Sequence, residues 1–193
     1  ITLTTDFGTA DGYVGAVKGA ILSINPKVTL VDLSHGIPSF DILQGAFLLG
    51  TSFSLFPKGT IHLAVVDPGV GSARRPLLVV TRDWFFVAPD NGLLSVVVGT
   101  QRPVKIIELT VQRYFLPSPS HTFHGRDIFG PVAAHLSRGV APKFFGEPRS
   151  SLVELPAFKT RPMANGDLKG EILFLDKFGN AISNIRPPKR RDQ

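Results

Sequence analysis

The chain has 193 residues, of which 43% are hydrophobic and 19% are charged, as in an ordinary globular chain of one domain, or of one domain and a fragment. It contains no cysteine, which excludes disulfides and thiolate metal sites, and no apolar run approaches the roughly 18 residues that span a bilayer. The net charge is +6, but only the terminal run PPKRRDQ is basic, and such a run is more typical of a solvated tail. We therefore expect a cytoplasmic protein with neither a membrane nor a nucleic-acid partner.

The first third of the chain alternates between strand and helix patterns. Strands are predicted for residues 1–7, 28–33 and 60–67, and helices follow Asp11 and Asp41, which we expect to act as N-caps. The order β, α, β, α, β with apolar strands is typical of a sheet covered by helices on both faces. The sequence therefore predicts an α/β fold for the N-terminal domain.

The rest of the chain is predicted to complete this domain and to begin a second one. Strands are expected at 76–82, 84–90 and 104–109, and a helix is expected to begin at Asp127. Residues 141 to about 165 are rich in Pro, Lys and Arg and lack a periodic pattern, whereas EILFLDKFGNAISNI is typical of a β-hairpin with its turn at 177–180. We predict an N-terminal α/β domain at 1–150, a linker at 151–165 and the start of a smaller, incomplete, β-rich C-terminal domain at 166–193.

Four aspartates stand where predicted strands end, namely Asp6, Asp32, Asp67 and Asp90. Ligands bind outside the carboxyl ends of the strands in open α/β sheets, so these carboxylates are expected to share one rim of the fold. A strand-end aspartate is more often a cap or a turn contact, and Asp41 and Asp127 are expected to be caps. The rim is nevertheless the first place to look for a site.

The segment IHLAVVDPGVGSARRP distinguishes Asp67 from the other strand-end carboxylates. Pro68 follows it, and Gly69 and Gly71 remove side chains around it, so that a ligand or water can approach closely. Two arginines, Arg74 and Arg75, come a few residues later. A carboxylate beside guanidinium groups at a strand end is typical of a catalytic site.

A second cluster of polar groups lies in HTFHGRDIFGP, where His121, His124, Arg126 and Asp127 precede a helix. Two histidines within four residues favour a ligand or proton-transfer site. Together with the acidic rim they allow a metal phosphohydrolase, but no HxD, HxxxH or DxDxD spacing is present. The glycine-rich segments match neither a P-loop nor GxGxxG. The residues alone leave these alternatives open.

Six segments in order carry a resemblance to a known family: TTDFGTADGYVGAVKG, VDLSHGIPSFDILQGAFLL, VVDPGVGSARRPL, APDNGLLS, TFHGRDIFGPVAAHL and LDKFGNAISNI. They resemble the adenosine-forming S-adenosyl-L-methionine hydrolases, once a domain of unknown function and related to fluorinase and chlorinase. The resemblance runs from residue 1 to about 185, which makes it far more specific than any single motif.

The resemblance implies attack of water or hydroxide on the 5′ carbon of the adenosyl group, giving adenosine and L-methionine. The catalytic residues of the family fall on Asp67, Arg74 and His124. We expect Asp67 to orient Arg74 and the water, Arg74 to stabilise developing hydroxide, and His124 to position the water or accept a proton. No metal and no cofactor is expected, S-adenosyl-L-methionine being the substrate. Arg75 is expected to be a surface cation.

The substrate contacts that the resemblance implies lie in both halves of the chain. Asp6 matches the carboxylate that binds the ribose hydroxyls, and Phe40 stands where relatives place an aromatic near the sugar. Asp176 and Asn180 correspond to contacts with the methionine amine and the adenine, and Phe178 packs on the base. The family is usually a homotrimer with its sites between subunits.

This chain departs from the pattern of the family at its C-terminus. Family members continue with several more strands, whereas this chain stops near Asn184 and a basic tail, so we expect the C-terminal domain to be incomplete. Two alternatives remain open: a halogenase of the same superfamily, disfavoured by the absence of its long insertion, and a non-catalytic module that binds an adenosyl ligand.

Overall fold

A computed structural model describes residues 1–158 and 160–185. The chain forms two compact units, of which the first spans Ile1–Glu154 and the second begins at Leu155. The division falls within the predicted linker at 151–165, and the predicted domain limits stay a prediction. The basic run at 187–193, expected to be a solvated tail, lies outside the described residues.

A seven-stranded mixed sheet forms the centre of the first unit, in the order β2-β1-β3-β5-β4-β6-β7. Four neighbouring strands, β2, β1, β3 and β5, run parallel, whereas β4, β6 and β7 are joined by antiparallel pairing. Parallel neighbours end at one edge of a sheet, so the residues that follow β1, β3 and β5 meet there. The strands are β1 (Thr2–Thr5), β2 (Val31–Ser34), β3 (Ile61–Val65), β4 (Pro76–Val80), β5 (Phe85–Pro89), β6 (Lys105–Leu109) and β7 (Gly146–Arg149).

Helices cover both faces of this sheet, which confirms the predicted α/β fold. On one face Leu63 of β3 shares an apolar core with Val17 and Val132. His62, which alternation turns to the other face, contacts the ring of Phe53, just after α2. The helices are α1 (Tyr13–Ile24), α2 (Ile42–Ser52), α3 (Ser95–Val98) and α4 (Gly130–Ser137), the last preceded by a π-helical turn at Gly125–Phe129.

The second unit consists of two short antiparallel strand pairs. They are formed by β8 (Arg161–Pro162) with β9 (Leu168–Lys169) and by β10 (Ile172–Leu175) with β11 (Ala181–Ser183). The second pair is the predicted hairpin, and its turn contains Gly179 at φ +84°. The β-rich character expected for this part of the chain is therefore confirmed. Among the helices that the structure describes, none combines the length and the apolarity needed to cross a membrane.

Strand β7 lies where the sequence shows no periodic pattern. It pairs with β6 at the edge of the sheet, and its residues are largely exposed. An edge strand with Pro148 and no buried face lacks the alternation that reveals a strand. The stretch from 141 to 165 is therefore not uniformly irregular.

Three expectations for individual aspartates were wrong. Asp32 lies inside β2, where its carboxylate contacts Lys18 at 2.6 Å and His35 at 3.1 Å. Asp11 does not cap α1, whose N-cap is Gly12 and has no side-chain bond. Asp127 lies inside the π-helical turn instead of at a helix start. Asp41 does cap α2, because its Oδ1 accepts the Gln44 N–H at 2.9 Å.

Candidate active site

Three segments converge at the carboxyl edge of the parallel strands: the residues after β1, the loop after β3, and the stretch that leads into the π-helical turn. They enclose a cavity of about 350 Å³. Asp6, Asp67 and His124 line it, although they are far apart in sequence. The sheet topology therefore brings together acidic and imidazole groups that local sequence places in separate motifs.

A buried ion pair joins Asp67 to Arg74. The Arg74 Nε donates to Oδ1 of Asp67 at 3.0 Å and to Oδ2 at 2.8 Å, and Nη2 also bonds to Oδ2. The side chains are only 5% and 9% exposed, respectively. The guanidinium carbon lies 5.1 Å from the centre of the Phe129 ring. Carboxylate and ring together hold the guanidinium in one orientation.

His124 continues this chain of contacts. The Arg74 Nη2 lies 2.9 Å from Nδ1 of His124. Because a guanidinium can only donate, Nδ1 must be the acceptor, and the proton of the neutral imidazole is on Nε2. Burial and the adjacent Arg74 charge lower the pKa of His124, so the neutral ring is favoured near pH 7. His124 thus offers an N–H donor at Nε2.

One guanidinium nitrogen remains available. The Arg74 Nη1 is buried and has no hydrogen-bond partner within residues 1–158 and 160–185. A buried donor without an acceptor is costly, so this atom is suited to an oxygen that carries negative charge.

Asp6 and Phe40 form a second contact at the cavity. Asp6 follows β1 directly, and its Oδ2 accepts the backbone N–H of Phe40 at 2.8 Å. Phe40 has φ +67° and a 63% exposed side chain. Burial raises the pKa of Asp6, as does the charge of Asp67, against the hydrogen bond from Phe40. The Asp6 carboxylate therefore stabilises Phe40 in a strained backbone conformation, and the Phe40 ring is open to a ligand.

Sequence reasoning missed an aromatic wall of the cavity. Phe7, Tyr13 and Phe123 pack edge to face or tilted, with ring centres 5.2 to 6.1 Å apart. All three line the cavity. Their signal in the sequence is the adjacency of Phe7 to Asp6 and of Phe123 to His124, which a search for polar groups passes over.

Comparisons with known proteins identify the family. A sequence profile described as the SAM hydroxide adenosyltransferase N-terminal domain matches residues 1–146. This chain belongs to that family. It therefore shares its ancestry with the proteins that the six sequence segments resemble.

Relatives and a solved structure agree with this assignment. The chain is 39% identical over 191 residues to an (R)-S-adenosyl-L-methionine hydrolase of Methanocaldococcus jannaschii, covering 96% of this chain and 66% of the relative. It is 42% identical over 184 residues to a protein of the same name from Salinispora tropica, covering 93% and 69%. A conserved protein of Thermotoga maritima, known as a crystal structure, superposes with a TM-score of 0.87 at 38% identity, covering 95% of this chain and 70% of that one. The chain thus spans about two thirds of its relatives' length.

A fluorinase of Actinoplanes is also related, at 28% identity over 211 aligned positions and 96% of this chain. The alignment is longer than the 193 residues of this chain, so the fluorinase carries residues that this member of the hydroxide adenosyltransferase family lacks.

Arg75 has a different place from its neighbour. Its Nε donates to Oδ2 of Asp90 at 2.8 Å, and Oδ1 of Asp90 accepts the Val153 N–H at 2.7 Å. The expectation of a surface cation was therefore wrong, because Asp90 is buried and Arg75 is only partly exposed. Asp90 does follow β5 at the rim, as predicted, but its carboxylate is occupied by contacts within the fold.

The remaining candidates of the second motif are not all at the cavity. His121 is exposed, and Asp127 is buried with its carboxylate bonded to Ser120 and Arg126. In the described ranges, no group of three His, Asp or Glu side chains is placed to hold a metal ion. Of the four polar candidates in this motif, His121, His124, Arg126 and Asp127, it is His124 that lines the cavity.

Asp176, Phe178 and Asn180 all lie in the hairpin turn of the second unit. The Oδ1 of Asp176 accepts the N–H groups of Phe178 at 2.9 Å and Asn180 at 2.8 Å, and Oδ2 accepts the Asn180 side-chain amide at 2.8 Å. Hydrogen bonds from Asn180 lower the pKa of Asp176. The Phe178 ring is 78% exposed. The Lys177 Nζ lies over this ring, 4.9 Å from its centre. The turn thus presents an ionised carboxylate and an exposed aromatic ring.

Proposed function

We propose that this chain hydrolyses S-adenosyl-L-methionine to adenosine and L-methionine. The observation that carries the proposal is the buried Asp67, Arg74 and His124 chain beside the cavity at the carboxyl edge of the sheet. Relatives at about 40% identity are named as hydrolases of the (R) epimer of this compound. The chain and its relatives share the family, and the residues at the cavity suit the chemistry.

The difficult part of the reaction is the activation of water as the nucleophile. The oxygen of water forms a bond to the 5′ carbon while the carbon–sulfur bond breaks and its electron pair returns to sulfur. The leaving group is a neutral thioether formed from a sulfonium, so it needs little acid assistance. Water must lose a proton and be held in line with the breaking bond.

Asp67 and Arg74 supply these two requirements in our proposal. Asp67 orients Arg74 and the water, as the resemblance implies, and we assign it the uptake of the water's proton because His124 is assigned the role of a donor. The buried Nη1 of Arg74 donates to the oxygen as negative charge develops on it. Because the guanidinium is already fixed by Asp67, it does not have to reorganise during the reaction.

We assign His124 the role of a donor. Its Nδ1 accepts from Arg74, which leaves Nε2–H to orient the attacking oxygen. Acceptance of a proton, the other role that the resemblance allowed, would require the opposite tautomer and loss of the Arg74 contact. The geometry therefore supports His124 as a positioning donor in preference to a general base.

Substrate binding is proposed as the family resemblance implies. Asp6 binds the paired ribose hydroxyls, and Phe40 packs against the sugar. Asp176 binds the methionine ammonium, Asn180 the adenine edge, and Phe178 the adenine face. We propose that these two sets meet between subunits of a cytoplasmic homotrimer, and that neither a metal nor a cofactor takes part.

The second candidate function is that of a halogenase of the same superfamily. The fluorinase alignment favours the hydrolase, because identity falls to 28% and the aligned stretch exceeds the length of this chain. The third candidate function is binding of an adenosyl ligand without turnover.

One assay separates the three. The chain is incubated with each sulfonium epimer of S-adenosyl-L-methionine in EDTA, with and without chloride, and the nucleosides are separated by chromatography. Adenosine formed in EDTA without chloride supports the hydrolase, and its absence contradicts it. Chloride-dependent 5′-chloroadenosine would support the halogenase, and binding alone the non-catalytic module. Asp67→Ala should lower adenosine release about 100-fold or more, and an undiminished rate would contradict the proposed mechanism.

A further inference from the structure

Asp127 is a buried carboxylate that the proposed chemistry does not use. Its side chain is 3% exposed. Its Oδ2 accepts both the backbone N–H of Ser120 at 2.8 Å and the Ser120 hydroxyl at 2.7 Å, and its Oδ1 accepts the Arg126 Nε at 2.6 Å. These hydrogen bonds lower the pKa of Asp127 although burial opposes them, so the group is ionised at pH 7. An ionised, buried carboxylate with this many donors holds them tightly.

The contacts continue from Ser120 to the residue before His124. The Ser120 Oγ accepts the backbone N–H of Phe123 at 3.1 Å. The Phe123 carbonyl in turn accepts the N–H of Asp127 at 3.1 Å, and the Asp127 carbonyl accepts the N–H of Leu116 at 2.8 Å. The segment from Leu116 to Phe123 is therefore tied to Asp127 through both its side chain and its backbone.

Asp127 makes these contacts from within the π-helical turn. Asp127 lies inside the turn at Gly125–Phe129, not at a helix start, and its carboxylate reaches back to Ser120. π-Helical turns within α-helices are frequent at functional sites. Here the turn begins immediately after His124, the ring of which must reach Nη2 of Arg74.

We propose that Asp127 is a positioning residue for His124. By holding Ser120, and through it the backbone at Phe123, the Asp127 carboxylate keeps the His124 ring within hydrogen-bond reach of Arg74. Asp127 acts on the reaction only through His124. This role rests on the proposed hydrolysis, but its structural part can be tested without turnover.

The kinetic test is a double-mutant cycle of Asp127→Asn and His124→Ala, measured as adenosine release. Asp127→Asn should lower kcat about 10- to 100-fold with little change in KM, because the geometry at the reacting atoms is lost. In the His124→Ala background the same change should cost less than about twofold. Equal losses in both backgrounds would overturn the proposal, since a general structural defect adds to any other.

The matched control is Glu108→Gln. Glu108 accepts from the Arg149 Nε at 2.7 Å, as Asp127 does from Arg126, but it lies on β6, away from the cavity. It should leave kcat near that of the parent chain. Ser120→Ala removes only the hydroxyl contact with Asp127. If circular dichroism shows that Asp127→Asn does not fold, Ser120→Ala replaces it in both the kinetic and the structural test.

The structural test uses the imidazole resonances of ¹⁵N-labelled chain, with His124 assigned from His124→Gln. The parent should show Nε2–H with Nδ1 as acceptor, and Ser120→Ala or Asp127→Asn should move the His124 ring toward the average of the two tautomers. An unchanged tautomer signature in both variants would overturn the proposal. If the parent chain releases no adenosine, the proposed function is contradicted. The tautomer signature of His124 then still tests the role of Asp127.

Discussion

The backbone of Gly71 lies directly against the carbonyl oxygen of His121. Gly71 has φ +77°, and a Cβ added to it would stand 2.3 Å from that oxygen. No side chain fits such a distance, and an L-residue is strained at this φ. The loop that carries Arg74 and the segment that carries His124 therefore meet through bare backbone, which lets the two side chains bond.

Gly71→Ala should separate these two segments. The new methyl must displace His121, so we expect loss of both stability and adenosine release. The matched control is Gly59→Ala, where φ is +86° but nothing lies within 4 Å of the added Cβ. Both variants incur the strain of a left-handed residue, about 1–2 kcal/mol. Denaturant unfolding and the adenosine assay should show the additional loss at Gly71, and equal behaviour of the two variants would contradict the close packing.

Arg74→Lys should reduce kcat about 100-fold or more while keeping the charge. An ammonium cannot bond to Asp67 through two nitrogens and reach His124 as well. Arg75→Lys is the control, since Arg75 pairs with Asp90 outside the cavity. It should leave kcat near that of the parent chain in the same assay. A kcat of Arg74→Lys as high as that of Arg75→Lys would show that positive charge, and not the guanidinium geometry, is what matters.

The pH dependence of kcat/KM should report His124. Its pKa is lowered by burial and by Arg74, and the neutral ring is the form that accepts from Arg74. Activity should therefore be constant above pH 6.5 and fall only as the pH drops through the lowered pKa. His124→Gln cannot titrate but keeps a donor, so it should lose this acid limb while retaining measurable turnover.

The base hypothesis for His124 makes the opposite prediction for that variant. Glutamine cannot take up a proton, so release would fall to the level of Asp67→Ala. An acid limb that persists in His124→Gln would belong to a carboxylate at the cavity, such as Asp6, the pKa of which is raised by burial.

His62 should make the stability of the chain fall in mild acid. It is fully buried, its Nδ1 bonds to the Thr2 hydroxyl at 2.8 Å, and burial lowers its pKa to about 4. Between pH 6.5 and 4 the unfolded chain binds the proton and the folded chain does not. Stability is therefore complete above pH 6.5 and declines by about 3 kcal/mol on approach to pH 4.

The measurement is the free energy of unfolding in urea at pH 7 and pH 4.5, for the parent chain and His62→Gln. The variant is expected to be less stable at pH 7 but to lose less on acidification. If the pH-dependent change is the same in both proteins, the proton uptake belongs to other groups.

Particular residues show how far sequence reasoning reaches. Asp6 and Asp67 could be placed at one rim because apolar runs end just before them, and parallel strands bring such ends together. The same argument wrongly placed Asp32 at a strand end, because strand β2 continues past it to Ser34. Strand β7 and the role of Asp127 could not be predicted, since an exposed edge strand has no alternation and a carboxylate inside a π-helical turn has the local pattern of a cap.

The amino-acid sequence alone was sufficient for the α/β class, the hairpin in the second unit and the family, because these depend on local periodicity, turn chemistry and ordered motifs. The resemblance had already pointed to Arg74 over Arg75, but only the tertiary structure showed the contacts of each arginine and which nitrogen of His124 carries the proton. Arg74 and Arg75 are adjacent and chemically identical, but the first pairs with Asp67 and the second with Asp90. The contact of Arg74 with His124 spans 50 residues of sequence, and a pairing at that distance leaves no local pattern to read.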